Sequence, residues 1–182
     1  MFGSFSYRRD FASYEDGETG RYGSDGIGNA EQTQSFDDAK SKEAVNWSGM
    51  VNLAYQLRQG HEIGFNFLYN QNSEKTAHQQ EGGYTAEDDV TYYRNRLIWT
   101  ERNLQAYQLK GSHALLENAG IKFDWLAALA TTSQLEPDMR FFNYSQDGSG
   151  YSIGRGGTPD PKQPTRYFRD LDENNRNEKI DL

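Results

Sequence analysis

Hydrophobic and polar residues alternate with a period of two in several segments of this chain. In residues 45–57 the odd positions, from Val45 to Leu57, are apolar, aromatic or glycine, whereas most even positions are polar. The same alternation returns in residues 63–69, after a short connection that contains Gly60. A period of two is that of a β-strand with one apolar and one polar face. The short connection predicts that the two strands form a hairpin.

Extended along the chain, this pattern predicts an all-β protein, an antiparallel up-and-down meander of about six strands. The strands are expected near residues 2–12, 45–57, 62–72, 91–112, 121–134 and 165–182. Three long polar segments, rich in Gly, Asp, Glu, Ser and Gln, predict loops at residues 13–44, 73–90 and 145–164. The two remaining connections are short, so long and short connections alternate.

That alternation is typical of a transmembrane β-barrel, which has short periplasmic turns at one rim and long external loops at the other. The strand at residues 91–112 would span about 70 Å, well beyond the roughly 25 Å apolar band of such a barrel. Its first half carries Arg94 and Arg96, whereas Tyr107 and Leu109 lie near the short turn. We therefore predict that the meander is part of a larger barrel whose strands project beyond the membrane.

Composition limits the classes of protein that remain. The 182 residues are 35% hydrophobic, with a mean hydropathy of -0.97, too few apolar residues for a thick globular core. A net charge of -8 argues against a nucleic-acid partner, because phosphate binding needs clustered Lys and Arg. The absence of cysteine excludes disulfides and thiol chemistry. No run approaches the roughly 18 apolar residues of a membrane helix, so a membrane role falls to strands.

The first residues already follow the strand pattern. Phe5, Tyr7 and Phe11 share one parity, and no basic segment followed by an apolar segment precedes them. The N-terminus is therefore not predicted to be a secretory signal. We expect it to continue a pattern that begins in a longer protein.

Four segments resemble the barrel portion of TonB-dependent outer-membrane receptors, and together they cover most of the chain. They are residues 46–74, 92–115, 124–142 and 167–175. Two runs within them are more specific than general barrel sequence, namely W-T-E-R at residues 99–102 and S-Q-L-E-P-D-M-R-F-F at residues 133–142.

The resemblance implies a barrel of 22 strands in the outer membrane of a Gram-negative-type bacterium, closed by an N-terminal plug. Such a receptor imports a siderophore, cobalamin or an oligosaccharide with energy from an inner-membrane TonB complex. Residues 1–182 lack the plug, the energy-coupling box and most of the strands, so a fragment is expected. The implied partners are outer-membrane lipid, the rest of the receptor chain, the TonB complex and the ligand. No cofactor is implied.

Two sets of aromatic residues are candidate contacts. One set has the outward parity and lies mostly near strand ends, as membrane-interface residues do: Trp47, Tyr55, Tyr69, Tyr107 and Trp125. Packing in a soluble core is the alternative for these residues. The other set lies in or near the predicted external loops and is a candidate for ligand contact: Tyr84, Phe141, Phe142, Tyr144 and Tyr151. Packing among the loops is the alternative there.

The candidate metal and phosphate sites match the known sequence motifs only in part. Asp170, Asp172, Asn174 and Asp181 have the spacing of a calcium loop, but Asn175 stands where a glycine is required. A glycine-rich phosphate loop is suggested by Gly154, Gly156 and Gly157. The nearby prolines instead favour an irregular surface loop. No site of either kind is expected.

The remaining titratable residues also indicate no chemistry. His61, His78 and His113 have no metal-ligand spacing, so no metal site is expected. Five carboxylates are expected to be solvated loop charges: Asp37, Asp38, Glu87, Asp88 and Asp89. Cation binding is the alternative for them. No Ser-His-Asp arrangement or carboxylate pair follows from the spacing, so an enzyme is not supported.

Two functions remain open from the sequence. One is a segment of an outer-membrane transport receptor, which forms barrel wall and external loops. The other is a soluble or surface-exposed antiparallel β domain that binds carbohydrate through Tyr and Trp. The environment of the apolar strand face distinguishes the two functions, because a barrel turns this face towards lipid, whereas a sandwich buries it.

Overall fold

Among the residues that the structure describes, all regular structure is β-strand. A computed structural model describes residues 1–87, 89–116, 120–153 and 164–182. The strands are β1 Phe2–Ser24, β2 Ala30–Arg58, β3 His61–Tyr84, β4 Thr91–Leu116, β5 Ile121–Asp147, β6 Gly150–Ser152 and β7 Thr165–Asp181. No helix long and apolar enough to cross a membrane occurs among the described residues.

The strands form one antiparallel sheet in which neighbours in sequence are neighbours in space. The order is β1-β2-β3-β4-β5-β6, and β7 also pairs with β5. The short β6 and the long β7 lie along the same edge of β5, one beyond the other. The all-β antiparallel meander is therefore confirmed, with six long strands and one short one among the described residues. In the described part of the chain, the outer edges of β1 and β7 pair with no further strand.

The predicted strand bounds were too short, because much of each predicted long loop is strand. Within residues 13–44, β1 continues to Ser24 and β2 begins at Ala30. Within residues 73–90, β3 continues to Tyr84. Within residues 145–164, β5 and β6 occupy the start, and residues 154–163 lie outside the described residues. Backbone hydrogen bonds between strands do not require apolar side chains, so hairpins that are polar on both faces show no alternation.

The β1–β2 turn is built by its own sequence. Gly26 and Gly28 have φ angles of 83° and 99°, a region that glycine adopts without steric cost. The Asp25 carboxylate accepts hydrogen bonds from the backbone N–H of Ile27 at 2.9 Å and of Asn29 at 3.0 Å. These hydrogen bonds, that from Ile27 first, lower the pKa of Asp25 below its ordinary value. A five-residue turn therefore replaces most of the long loop predicted there.

The register gives the sheet two distinct faces. The face that carries Trp47, Phe67, Tyr107 and Leu129 is called the apolar face, and the opposite one the polar face. Only three hydrophobic side chains in the described residues are buried: Phe36, Tyr92 and Met139. Their place in the register is on the polar face, in the half of the sheet remote from the Gly60 turn. The sheet therefore has a small core at one end and none at the other.

Candidate functional site

The apolar face carries a continuous hydrophobic band in the half of the sheet near Gly60. Val51, Phe67, Tyr107 and Leu129 are successive partners across β2, β3, β4 and β5. The next row towards the turn is Leu53, Phe65, Leu109 and Ala127. Because both rows are apolar in all four strands, the band is a property of the sheet and not of one hairpin.

The height of this band can be measured along β2. From Trp47 to Tyr55 the chain advances eight residues, about 26 Å along the strand, close to the roughly 25 Å apolar band of outer-membrane barrels. The row level with Trp47 in the next three strands is polar: Gln71, Asn103 and Ser133. The band therefore has a defined margin on the side away from the turn.

All five aromatic residues predicted for the membrane interface lie on the apolar face. From one strand to the next, the aromatic residue lies one row nearer the Gly60 turn: Trp47 in β2, Tyr69 in β3 and Tyr107 in β4. Trp47 and Tyr69 are in contact, with ring centroids 4.7 Å apart. Tyr55 and Trp125 share a row at the other margin. The aromatic residues thus border the band on both sides, and the oblique margin is the one expected for tilted strands.

Trp125 closes over a glycine at the lower margin. A Cβ atom built on Gly111 would lie 2.2 Å from Trp125 Nε1. The Trp125 indole donates a hydrogen bond to His113 Nε2 at 3.1 Å. Gly111 is therefore the residue that allows this indole to lie against the sheet.

The polar face opposite the band is hydrogen-bonded across strands. Asn66 Nδ2 donates to Gln108 Oε1 at 2.7 Å, and the hydroxyls of Ser6 and Ser48 are 2.8 Å apart. The sheet therefore separates a hydrophobic surface from one on which amides and hydroxyls bond across strands.

The band ends at β5. In β7, Arg176 and Glu178 lie on the apolar face, level with Leu129 and Ala127. These two charged residues form an ion pair with each other. The edge strand β7 therefore does not extend the hydrophobic surface.

A buried carboxylate lies in the remote half of the polar face. Asp38 accepts hydrogen bonds from Thr19 at 2.7 Å, Gln80 at 3.1 Å and the Tyr14 hydroxyl at 3.1 Å. Its other contact is with His78 Nε2 at 2.6 Å. The Asp38 side chain is only 7% exposed. The expectation that Asp38 is solvated loop charge was wrong, because the strand extension places it between β1 and β3.

The environment of Asp38 favours the ionised form. Burial raises the pKa of this carboxyl, but the hydrogen bonds from Thr19, His78, Gln80 and Tyr14 together outweigh burial and hold the pKa below its ordinary value. Asp38 therefore joins β1, β2 and β3 as an anion, which is a structural role.

One predicted ligand contact, Tyr84, belongs to the packing beside this carboxylate. The Arg94 guanidinium lies 4.0 Å from the centre of the Phe36 ring and donates to the Tyr84 hydroxyl at 2.7 Å. The Tyr84 ring meets Phe36 and Tyr92 edge-on, at centroid distances of 6.1 Å and 5.3 Å. Tyr92 in turn donates to Glu87. The chain therefore packs Tyr84 on three of its own side chains.

The other four predicted ligand contacts lie on both faces of the sheet. Tyr144 stacks on Tyr93 at 4.6 Å and contacts Phe142 at 5.6 Å and Tyr151 at 5.8 Å. The register places Tyr93, Phe142 and Tyr144 on the apolar face, beyond the band. Phe141 lies on the polar face and meets Tyr167 edge-on at 5.9 Å. The predicted set is therefore not one site.

The candidate ion sites are not assembled. Asp170, Asp172, Asn174 and Asp181 lie along the extended strand β7, whereas a calcium loop requires a compact turn. Gly154, Gly156 and Gly157 lie outside the described residues, as does Asp88. Within the described ranges no group of three or more His, Cys, Asp or Glu side chains is arranged to hold a metal ion.

The structure brings together two histidines that sequence spacing separated. His61 and His113 are partners across β3 and β4, with their Nδ1 atoms 3.2 Å apart. They are 52 residues apart in sequence. The alternation patterns of the two strands could have been aligned to propose a pairing register, and that register would have predicted this pair.

No family model, curated protein or solved structure matches this chain. The class is therefore defined by the fold and the site alone. It is an all-β antiparallel meander in which one face carries a hydrophobic band bordered by aromatic residues.

Proposed function

We propose that this chain is a wall segment of an outer-membrane transport receptor of the TonB-dependent kind. The observation that carries the proposal is the hydrophobic band that crosses β2 to β5 on one face and that extends, along β2, over about 26 Å between Trp47 and Tyr55. A surface of this extent left in water is unusual for a monomeric soluble protein, whereas it fits the hydrocarbon layer of a membrane.

The opposite face fits the interior of such a barrel. The amides of Asn66 and Gln108 would face the water-filled or plugged interior, where polar residues are stable. The remote strand halves, with Asp38 and Arg94, would project outside the membrane. Tyr84 and Phe141, on this face, would be the predicted contacts that meet a siderophore, cobalamin or an oligosaccharide entering from outside.

The open sheet edges are where we expect partners to join. In the described ranges, the outer edges of β1 and β7 pair with no further strand, and additional strands of the receptor would satisfy their backbone groups. The plug would occupy the polar face. Energy would come from the TonB complex through the plug-bearing part of the receptor.

A second function, carbohydrate binding by a surface β domain, is favoured by one observation. Phe142 and Tyr151 remain 49% and 72% exposed although they contact Tyr144. Aromatic rings of this kind are typical of surfaces that stack on sugars.

Depth-dependent fluorescence quenching tests the first proposal. The three tryptophans lie on the apolar face, but Trp99 shares the row of Glu43, about 13 Å along the strand from Trp47. Single-tryptophan variants of the full chain, reconstituted in vesicles with brominated acyl chains, should show strong quenching of Trp47 and Trp125. Trp99, which packs on Lys75 at 4.8 Å, should be quenched much less and respond to aqueous iodide.

Equal quenching of the three tryptophans by lipid, or quenching of none, would contradict the membrane assignment. The carbohydrate alternative makes a different prediction for the same chain. A protein that binds defined oligosaccharides in buffer without detergent, and loses binding in Phe142→Ala and Tyr151→Ala, would favour that second function.

A further inference from the structure

His61 and His113 face each other where β3 begins and β4 approaches its end. Their Nδ1 atoms are 3.2 Å apart and their ring centroids 5.3 Å apart. The adjacent pair of the ladder is hydrogen-bonded, because Ala114 N–H donates to Gly60 O at 2.7 Å. The two histidines therefore occupy a non-hydrogen-bonded pair, the position at which side chains of antiparallel strands approach most closely. The backbone itself holds the two rings together.

We propose that His61 and His113 form a two-histidine chelate for a divalent transition-metal ion that prefers imidazole, such as Cu²⁺, Ni²⁺ or Zn²⁺. Bonds of about 2.0–2.1 Å place two nitrogens roughly 3.3 Å apart at a tetrahedral ion and roughly 2.9 Å apart in a square plane. The observed separation of 3.2 Å lies between these values. An ion can therefore enter with little movement of either ring.

The neighbours of His113 hold its ring in place. Phe123 stacks beside it, with the rings 19° from parallel, and Trp125 Nε1 donates to its Nε2 at 3.1 Å. The site thus has one ring whose orientation is set by its neighbours.

The Trp125 hydrogen bond supplies a readout. Because Nε2 of His113 accepts that bond, the proton of the neutral imidazole is on Nδ1 and points towards His61. A metal ion at Nδ1 requires the other neutral tautomer, with the proton on Nε2. Trp125 must then give up its hydrogen bond, so metal binding changes the environment of this indole.

The histidine pair supplies two positions of the coordination sphere. Among the residues that the structure describes, no group of three or more His, Cys, Asp or Glu side chains surrounds an ion. Water or further donor atoms would fill the other positions of the coordination sphere. The site suits an exchangeable ion at the turn end of the sheet, next to the lower margin of the band.

Titration of the full chain in detergent micelles with CuSO₄ tests the proposal, with NiCl₂ as a second probe. Binding is followed by tryptophan fluorescence and by calorimetry. Saturable binding of one ion per chain is expected, with quenching of Trp125. His61→Gln and His113→Gln should each raise the half-saturating Cu²⁺ concentration by roughly tenfold or more, and the double variant by no more than either single one.

The chain offers matched controls. His78→Gln removes the only other histidine and should leave binding unchanged. Trp125→Phe removes the hydrogen bond that metal binding must break, so calorimetry should show binding at least as tight as that of the wild type while most of the fluorescence change is lost. Circular dichroism checks that each variant keeps its strands. The proposal is overturned if the wild type shows no saturable binding, if His61→Gln and His113→Gln bind like the wild type, or if His78→Gln causes the same loss.

Discussion

Gln80 and Asp38 are partners across β2 and β3, and the Gln80 amide donates to the Asp38 carboxylate at 3.1 Å. Thr19 donates to the same carboxylate from β1 at 2.7 Å. This buried anion therefore joins three strands in the half of the sheet that contains the small core.

Asp38→Asn should destabilise this half of the sheet. The amide keeps the size of the side chain, but its NH₂ group cannot accept the hydrogen bonds that the carboxylate accepts. A loss of about 1–3 kcal/mol is expected in the free energy of local opening. Hydrogen exchange of the β2 and β3 amides measures it. Asp37→Asn is the control, because Asp37 is exposed on the other face, and an equal loss in both variants would contradict the assignment.

The same carboxylate predicts a pH dependence. Its pKa is lower in the folded chain than the roughly 3.9 of an unfolded aspartate. Its contribution to stability is therefore present above about pH 4 and is lost as the pH falls through the folded value. The difference in urea midpoint between the wild type and Asp38→Asn should shrink from about pH 6 to about pH 3. A difference that grows on acidification would show that the sign is wrong.

Gly82→Ala should separate β2 from β3. A Cβ atom on Gly82 would lie 2.1 Å from Ser35 O and 2.6 Å from Phe36 Cα, backbone atoms that cannot move without breaking the ladder. A destabilisation of about 2–4 kcal/mol is expected in urea unfolding. Gly49→Ala is the matched control, since nothing lies within 4 Å of the added methyl group. Similar stabilities for the two variants would refute the close approach.

A charge on the apolar face should cost more than one on the polar face. Phe67→Arg places a guanidinium within the band and should reduce folding stability in lipid vesicles by about 2–4 kcal/mol. Leu68→Arg removes an apolar residue from the adjacent position on the other face and should cost about 1 kcal/mol or less. The measurement is the urea dependence of folding in vesicles. If Leu68→Arg costs as much as Phe67→Arg, the band does not face lipid.

The full chain should depend on detergent for dispersion. The hydrophobic band and the outer edges of β1 and β7 lack cover in the described part of the chain, so copies should associate in plain buffer. Sedimentation velocity should show large species without detergent and a discrete species with it. A monomer that melts cooperatively in plain buffer would oppose the membrane proposal.

The sequence determined the elements whose physics is local. The alternation from Val45 to Leu57 and from Ile63 to Tyr69 established two amphipathic strands and their hairpin, because side chains on a strand reverse direction at every residue. The same parity correctly grouped Trp47, Tyr69 and Tyr107 on one face. The all-β antiparallel meander followed from these patterns.

The tertiary structure decided what depends on register between strands. Residues 13–24 and 30–44 carry few apolar side chains on either face, so no alternation revealed that they pair as strands. The burial of Asp38 and the meeting of His61 with His113 required a specific alignment of strands distant in sequence. Strand pairing is a non-local hydrogen-bond ladder, and a shift of one residue exchanges the faces. The sequence therefore determined the faces of single strands, and only the assembled sheet determined which residues meet.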